Sequence, residues 1–335
     1  MDPDPKAITQ SLTLESDFSL LSGKHQGWLY ADQKKDLEEI SFYQTVYEKH
    51  KRLQFLPSVE NPRIPKVFHF IWLGPKNFPR SSVENARSWV ANNPDWTFKF
   101  WTDRPRIAPV SNMEVIQIDQ FPFQYLKEMY DASDNWGEMS DLLRYEILLR
   151  EGGVYVDHDM ACLRPYDQLV SHYDFFAGLS TSHPRVDGFS FTAINCHFAS
   201  MPNHPIIRAT IDQTIRLHEK ALLAFPMNRE KQVINSSYVA FTHAILEKLD
   251  QLGNRDIVFP NCYFLALGDL PNFYARHTYA GFWRDPGAHE TPKQAKVIQE
   301  FKQIESSLLT HKWVQIGAIF VLIILISLAI KKRRS

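Results

Sequence analysis

The sequence predicts an α/β domain built on an open sheet with flanking helices, followed by one C-terminal transmembrane helix. Three observations carry this. Short apolar, strand-like runs alternate with segments of helical period between residues 61 and 290. Within that stretch Ser140 to Met160, SDLLRYEILLREGGVYVDHDM, reads as a helix, a Gly-Gly break and a short apolar strand ending in two carboxylates. From Trp313 to Ile330 the chain runs WVQIGAIFVLIILISLAI without a charge and then turns to KKRRS.

The elements follow in order. Residues 1–60 form a polar, helical extension, in which Leu37, Ile40, Tyr43 and Tyr47 recur at steps of three or four. That spacing predicts an amphipathic helix packed on the main domain and carrying no chemistry. Pro57, Pro62 and Pro65 break it, and Lys66 to Gly74 (KVFHFIWLG) reads as a buried strand ending at a Gly-Pro turn. Ser81 or Ser82 is expected to cap a helix to Asn92. Thr97–Trp101 and Val115–Ile118 are the next strands, and the motif helix covers 137–150. Phe175–Leu179 and Ser190–Ala199 read as strands, and a helix over 206–223 follows His204-Pro205. A second helix spans Tyr238 to Leu252, and Ile257–Phe264 closes the sheet. Residues 291–312 form a polar stalk, 313–330 the membrane helix, and 331–335 a basic tail. At ~1.5 Å per residue the apolar run spans about 27 Å, enough for a bilayer core.

Composition narrows the function. The 37 basic and 38 acidic residues nearly cancel, with no basic block in the body of the chain, so nothing supports nucleic-acid binding. Cys162, Cys196 and Cys262 are widely spaced. That argues against a zinc site and a disulfide framework, and fits a reducing compartment.

The chemistry lies at 140–160. Side chains two apart on an extended segment share a face, so Asp157 and Asp159 aim together at one divalent cation while His158 points away. Hard oxygen ligands suit Mn²⁺ or Mg²⁺, and those ions suit a diphosphate. Asp141 and Arg144 share a helical face three residues apart. An acid and a guanidinium beside a metal-phosphate site suit sugar hydroxyls and phosphate charge. The reading is a nucleotide-sugar site.

The pattern S-D-x-x-R-Y-x-x-L, a spacer, G-G-x-Y-x-D-x-D and the proline turn Leu163-Arg164-Pro165 resembles the sugar-binding region of D-x-D glycosyltransferases. These include fungal Golgi α-mannosyltransferases, inositol-phosphoceramide mannosyltransferases and, more distantly, the clostridial glucosylating toxins. IPKVFHFIWLG is similar to the family's first strand and SWVANNPDWTFKFWTD to its second block. The likeness covers about residues 63–285 and implies a GT-A type fold. It also implies site residues: Trp72 stacked on the base, Tyr155 near the nucleoside, Asp141 and Arg144 on the donor sugar. Asp157 would contact ribose, sugar and metal, and Asp159 would ligate the metal. HTYAGFW near the end makes His277 the third metal ligand and Trp283 a diphosphate contact. NSSYVAF at 235–241 stands where relatives carry an acceptor-side Gly-Pro turn.

The resemblance therefore implies a metal-dependent hexosyltransferase acting with retention, with GDP-mannose the favoured donor. A membrane-associated glycolipid or glycan is the favoured acceptor, and the membrane lipid itself a partner. The rivals are transfer from UDP-glucose, UDP-galactose or UDP-GlcNAc, a non-catalytic membrane-anchored sugar-binding protein, and a metal-dependent phosphatase or nuclease. The last would need more carboxylates than the motif supplies. With no apolar leader at the N-terminus, the domain is expected to face the cytosol from a C-terminal anchor; KKRRS argues for the lumenal alternative.

Overall fold

Nine strands alternate with helices along the part of the chain that the computed structural model describes: residues 12–24, 28–251, 253–265 and 271–279. They are β1 (Val67–Trp72), β2 (Thr97–Thr102), β3 (Met113–Gln117), β4 (Gly153–Val156), β5 (Met160–Cys162), β6 (Phe175–Leu179), β7 (Ala193–Ser200), β8 (Asp256–Phe259) and β9 (Ala275–His277). Seven of them form one sheet in the order β3-β2-β1-β4-β7-β6-β8, and β5 pairs with β9 in a two-stranded ribbon. β3, β2, β1 and β4 run parallel, as do β6 and β8, while β7 runs antiparallel to both β4 and β6. The expected open sheet is therefore a mixed, mostly parallel one. Because β7 opposes both neighbours, the carboxyl ends of β1, β2, β4 and β6 all lie on one edge.

The helices used below are α1 (Lys34–His50), α2 (Arg80–Asn92), α3 (Trp136–Glu151), α4 (Pro205–Ala224), α5 (Arg229–Ile234) and α6 (Ala240–Lys248). α1 buries Ile40, Tyr43 and Tyr47 in the main core as its spacing predicts, but Leu37 is 51% exposed. Asp36 turns inward instead, because Arg185 meets it there. α2 starts at Arg80 with Pro79 at its N-cap, so Ser81 and Ser82 lie within its first turn rather than capping it. Ser82 uses its hydroxyl on His158 instead. The second C-terminal helix begins earlier than its apolar pattern suggests. It runs from Arg229 through α5, a π turn at Asn235–Val239 and α6.

Under the sheet Phe68 stacks on Trp96 and Phe98, with ring centroids 4.5 and 5.4 Å apart. Burying each such ring contributes about 1.5–3 kcal/mol. This core fixes β1 and β2, which the site uses as its floor. α3 is capped by Asn135, whose Oδ1 accepts from Gly137 N and Glu138 N at 2.8 and 3.1 Å. It ends at Gly152 and Gly153, with φ of 65° and 94°. A Cβ on Gly153 would stand 2.5 Å from Val67 Cγ1, so this turn needs glycine both for its backbone and for its space.

None of the three cysteines forms a disulfide. Among the described residues no helix is long and apolar enough to cross a membrane. The expected stalk, the span at 313–330 and the basic tail lie outside the described residues.

Candidate functional site

Strand order reverses between β1 and β4, and in open α/β sheets the crevice beyond that switch point is where ligands bind. Asp157 stands immediately after β4, at this point. Its N–H donates to the Cys196 carbonyl across 2.9 Å, so β7 fixes its backbone. The strand itself stops at Val156, and Asp157-His158-Asp159 forms a turn rather than a strand end. The chain has to leave the large sheet here to reach β5 and its partner β9. The turn still separates the side chains as expected. His158 Nδ1 lies 2.8 Å from Ser82 Oγ and its ring meets Trp72 edge-on, 4.9 Å between centroids. Burial lowers its pKa, which keeps that inward ring neutral.

Asp157, Asp159 and His277 each offer a ligand atom, and these atoms all lie within 4.8 Å of one another. His277 comes from β9, paired to Met160 of β5. Its Nε2 is 3.4 Å from Asp159 Oδ1. Thr278 locks this register: its N–H and hydroxyl both donate to the Asp159 carbonyl, at 2.9 and 2.8 Å. α2 supports the ribbon from behind, with Trp89 Nε1 donating to the Met160 carbonyl at 2.7 Å and Cys162 N to Ser88 Oγ at 2.8 Å. Two carboxylates and one imidazole suit a divalent ion of intermediate hardness, Mn²⁺ better than Ca²⁺.

Beside this trio α3 presents Asp141 and Arg144. Arg144 Nη2 lies 2.9 Å from Asp141 Oδ1 and 3.4 Å from Asp157 Oδ1. Nε and Nη1 donate to the carbonyls of Ser140 and Asn195, at 3.2 and 2.7 Å, and the guanidinium covers the Tyr155 ring at 4.1 Å. Burial alone would lower its pKa; the carboxylates of Asp141 and Asp157 more than offset that and keep it charged. The Asp141 carboxyl is also pushed up, to about 7. Burial is the largest cause, and Asp157 and Glu138 add repulsion that Arg144 does not cancel. Tyr155 is buried at 2% exposure and donates its phenolic proton to Asp157 Oδ1 across 2.5 Å. Burial raises its pKa well above the usual value, so it stays a donor.

The structure thus brings together Asp141, Arg144, Tyr155, Asp157, Asp159 and His277. Trp72 ends β1 at the same edge, 6% exposed, packed against Phe78 and His158 with its Nε1 donating to the Lys76 carbonyl at 2.8 Å. Trp283 lies outside the described residues. Three contributors escaped the sequence reading. Asn195 Nδ2 donates to Asp141 Oδ1 at 3.0 Å while its carbonyl holds Arg144. Thr278 anchors the Asp159 backbone, and Ser237 of the π turn reaches Asp141 with its hydroxyl, opposing the rise in its pKa. One signal was available: an asparagine inside AINCHF, a residue that strands usually exclude. π turns inside helices also concentrate at functional sites.

Fold and site define an α/β domain with a candidate metal-ligand trio, Asp157, Asp159 and His277, at the carboxyl edge of its sheet. Residues 79–176 match the family described as "Glycosyltransferase sugar-binding region containing DXD motif". The chain is 28% identical over 132 residues to "Subversion of eukaryotic traffic protein A" of Legionella pneumophila, covering 35% of this chain and 20% of that protein. It is 26% identical over 170 residues to "Inositol phosphoceramide mannosyltransferase 1" of Schizosaccharomyces pombe, covering 50% of this chain and 48% of that one. The chain therefore spans from a fifth to about half the length of these relatives. Among solved structures, "PaToxG Glycosyltransferase" aligns at 20% identity with a TM-score of 0.46, covering 65% of this chain and 82% of its own.

Proposed function

We propose that this domain transfers a hexose from a nucleoside diphosphate sugar to an acceptor hydroxyl, with a divalent cation held by Asp157, Asp159 and His277. The observation that carries the reading is the convergence of those three ligand atoms within 4.8 Å, next to the buried, charged Arg144. A cation there would neutralise charge on the departing diphosphate. Arg144 adds a fixed positive charge on the same side. Asp141 supplies an acceptor for sugar hydroxyls, and Asn195 holds it in place. Tyr155 keeps Asp157 in one rotamer. Retention is what the family resemblance implies, and since nothing in this arrangement requires a covalent carboxylate nucleophile, front-face displacement on a GT-A type scaffold is the proposed route.

GDP-mannose is the proposed donor and a membrane-associated glycolipid the proposed acceptor, in line with a relative named for mannosyl transfer to inositol phosphoceramide. The apolar run at 313–330 would tether the domain to its acceptor's membrane, facing the cytosol. The test is to incubate the protein with Mn²⁺ and a panel of GDP- and UDP-sugars and to measure released nucleotide. Preference for a UDP-sugar overturns the mannose reading, and no release from any donor overturns the transferase. Protease treatment of sealed membranes decides the side: a protected domain, or glycan on Asn235, makes it lumenal.

A further inference from the structure

The loop between β6 and β7, Ser180 to Thr192, rises from the same edge as the metal trio and runs into Asn195 and Cys196. Those two residues fix Asp141, Arg144 and Asp157. The loop is a stiff hairpin. Ser180 N donates to Thr192 O at 2.8 Å, His183 N to Ser190 O at 3.0 Å, and Val186 and Phe189 exchange backbone hydrogen bonds across a turn. Asp187 and Gly188 form that turn with φ of 48° and 85°. Its first residues, Ser180-Thr181-Ser182-His183, are rich in hydroxyls.

An element distant in sequence grips this hairpin. Arg185 Nη2 lies 2.6 Å from Asp32 Oδ1 and also bonds Asp36, at the start of α1. Ser190 Oγ donates to the Tyr30 carbonyl at 2.8 Å, Trp28 meets Phe191 edge-on at 5.4 Å, and Lys35 covers the Phe189 ring at 4.9 Å. His243 of α6 holds Asp187 from the other side, 3.1 Å away. Arg185 Nε and Asp36 Oδ1 are buried with no hydrogen-bond partner, so the ion pair is poorly matched and adds little net stability. What it fixes is position.

β1, β2 and β4 belong to the parallel half of the sheet, and a nucleotide fits the switch point between β1 and β4. The second substrate is left the β7–β6 side, where the hairpin stands. We propose that the Ser180–Thr192 hairpin is the acceptor-side wall of the site, and that Trp28–Asp36 sets acceptor use by clamping Arg185. This rests on the glycosyltransferase reading above. Arg185 is then a positioning residue for the acceptor, and its loss separates transfer from hydrolysis.

The full-length protein with Mn²⁺ and the nucleotide sugar selected by the donor panel is assayed for two rates: hydrolysis by water, and transfer to methyl α-D-mannopyranoside as acceptor probe. Arg185→Ala is expected to raise the KM for the mannoside about ten-fold while hydrolysis stays within about two-fold of wild type. Arg185→Lys recovers part of the loss, and Ser182→Trp, which narrows the wall without touching the clamp, lowers transfer alone. A parallel fall of hydrolysis and transfer in Arg185→Ala, or no change in either, overturns the proposal. So does a wild type that hydrolyses the donor but neither glycosylates the mannoside nor is slowed by it. A wild type that releases no nucleotide from any donor fails earlier, at the glycosyltransferase reading, and takes this inference with it.

Discussion

Tyr155 donates its hydroxyl to Asp157 Oδ1 across 2.5 Å, from beneath an Arg144 guanidinium that itself stands 3.4 Å from the same oxygen. One carboxylate oxygen is thus held by a neutral donor and a cation, which leaves the other free to turn toward a metal. Residue 155 lies in β4, opposite Phe198, and cannot leave the core. Tyr155→Phe keeps the ring and removes only the hydroxyl. The expected result is a folded protein whose donor turnover falls about ten-fold, ~1.4 kcal/mol of lost positioning. Unchanged nucleotide release in Tyr155→Phe would remove Tyr155 from the site and leave it to the core.

Asp159→Ala should abolish transfer with the fold intact, because Thr278 holds the Asp159 backbone carbonyl and not its side chain. Asp157→Asn should be nearly inactive as well. Chelation should silence the wild type and added Mn²⁺ restore it. Retention of more than about a tenth of the activity by either variant, ~1.4 kcal/mol per decade, counts against the metal site. Circular dichroism run in parallel separates loss of function from loss of fold.

Asp141 gives a pH signature. Its carboxyl is held near 7 in the folded chain against an ordinary 3.8, mainly by burial. Between those values the folded form keeps a proton that the unfolded chain releases, so this group makes stability fall as pH rises from about 4 to about 7 and level off above. Asp141→Asn should flatten that slope in metal-free thermal melts. Activity should run oppositely if the ionised carboxylate receives a sugar hydroxyl: kcat/KM for the donor climbs through pH 7 in wild type and not in Asp141→Asn. A bound cation near Asp157 should move the limb to lower pH, since added positive charge favours the carboxylate. An unchanged limb in Asp141→Asn assigns the titration to another group.

Much of this site was legible because its parts are local. The i, i+3 pair Asp141 and Arg144, the Gly-Gly break and the D-x-D lie within 19 residues, where helix and strand geometry determine which side chains share a face. What escaped depends on contacts remote in sequence. Asn195 reaches Asp141 only because β7 runs antiparallel beside β4, and no pattern in AINCHF announces that pairing. From the sequence D-x-D reads as a strand end; in the structure it is a turn, because the chain leaves β4 there for the three-residue β5 and its partner β9. Leu37 looked buried because period alone cannot see Arg185 drawing Asp36 inward. HTYAGFW points to His277 only through its resemblance to the family, and in the structure β9 pairs this residue with Met160, next to Asp159.

Arg144 provides the strictest test of whether the site needs a planar, forked guanidinium or merely a positive charge. Its Nε and Nη1 are spent on the carbonyls of Ser140 and Asn195, Nη2 faces Asp141 and Asp157, and the plane lies on Tyr155. A lysine at this position keeps one charge but cannot make that fork or lie flat on the ring. It would leave at least one of the two carbonyls unmatched in a buried setting, at about 1–3 kcal/mol. Arg144→Lys should therefore lose about 10²-fold in transfer, close to Arg144→Ala, with little change in melting temperature relative to the alanine variant. Activity in Arg144→Lys above about a tenth of wild type would mean that charge alone suffices there. The geometry around Ser140, Asn195 and Tyr155 would then be scaffolding for α3 and not part of substrate recognition.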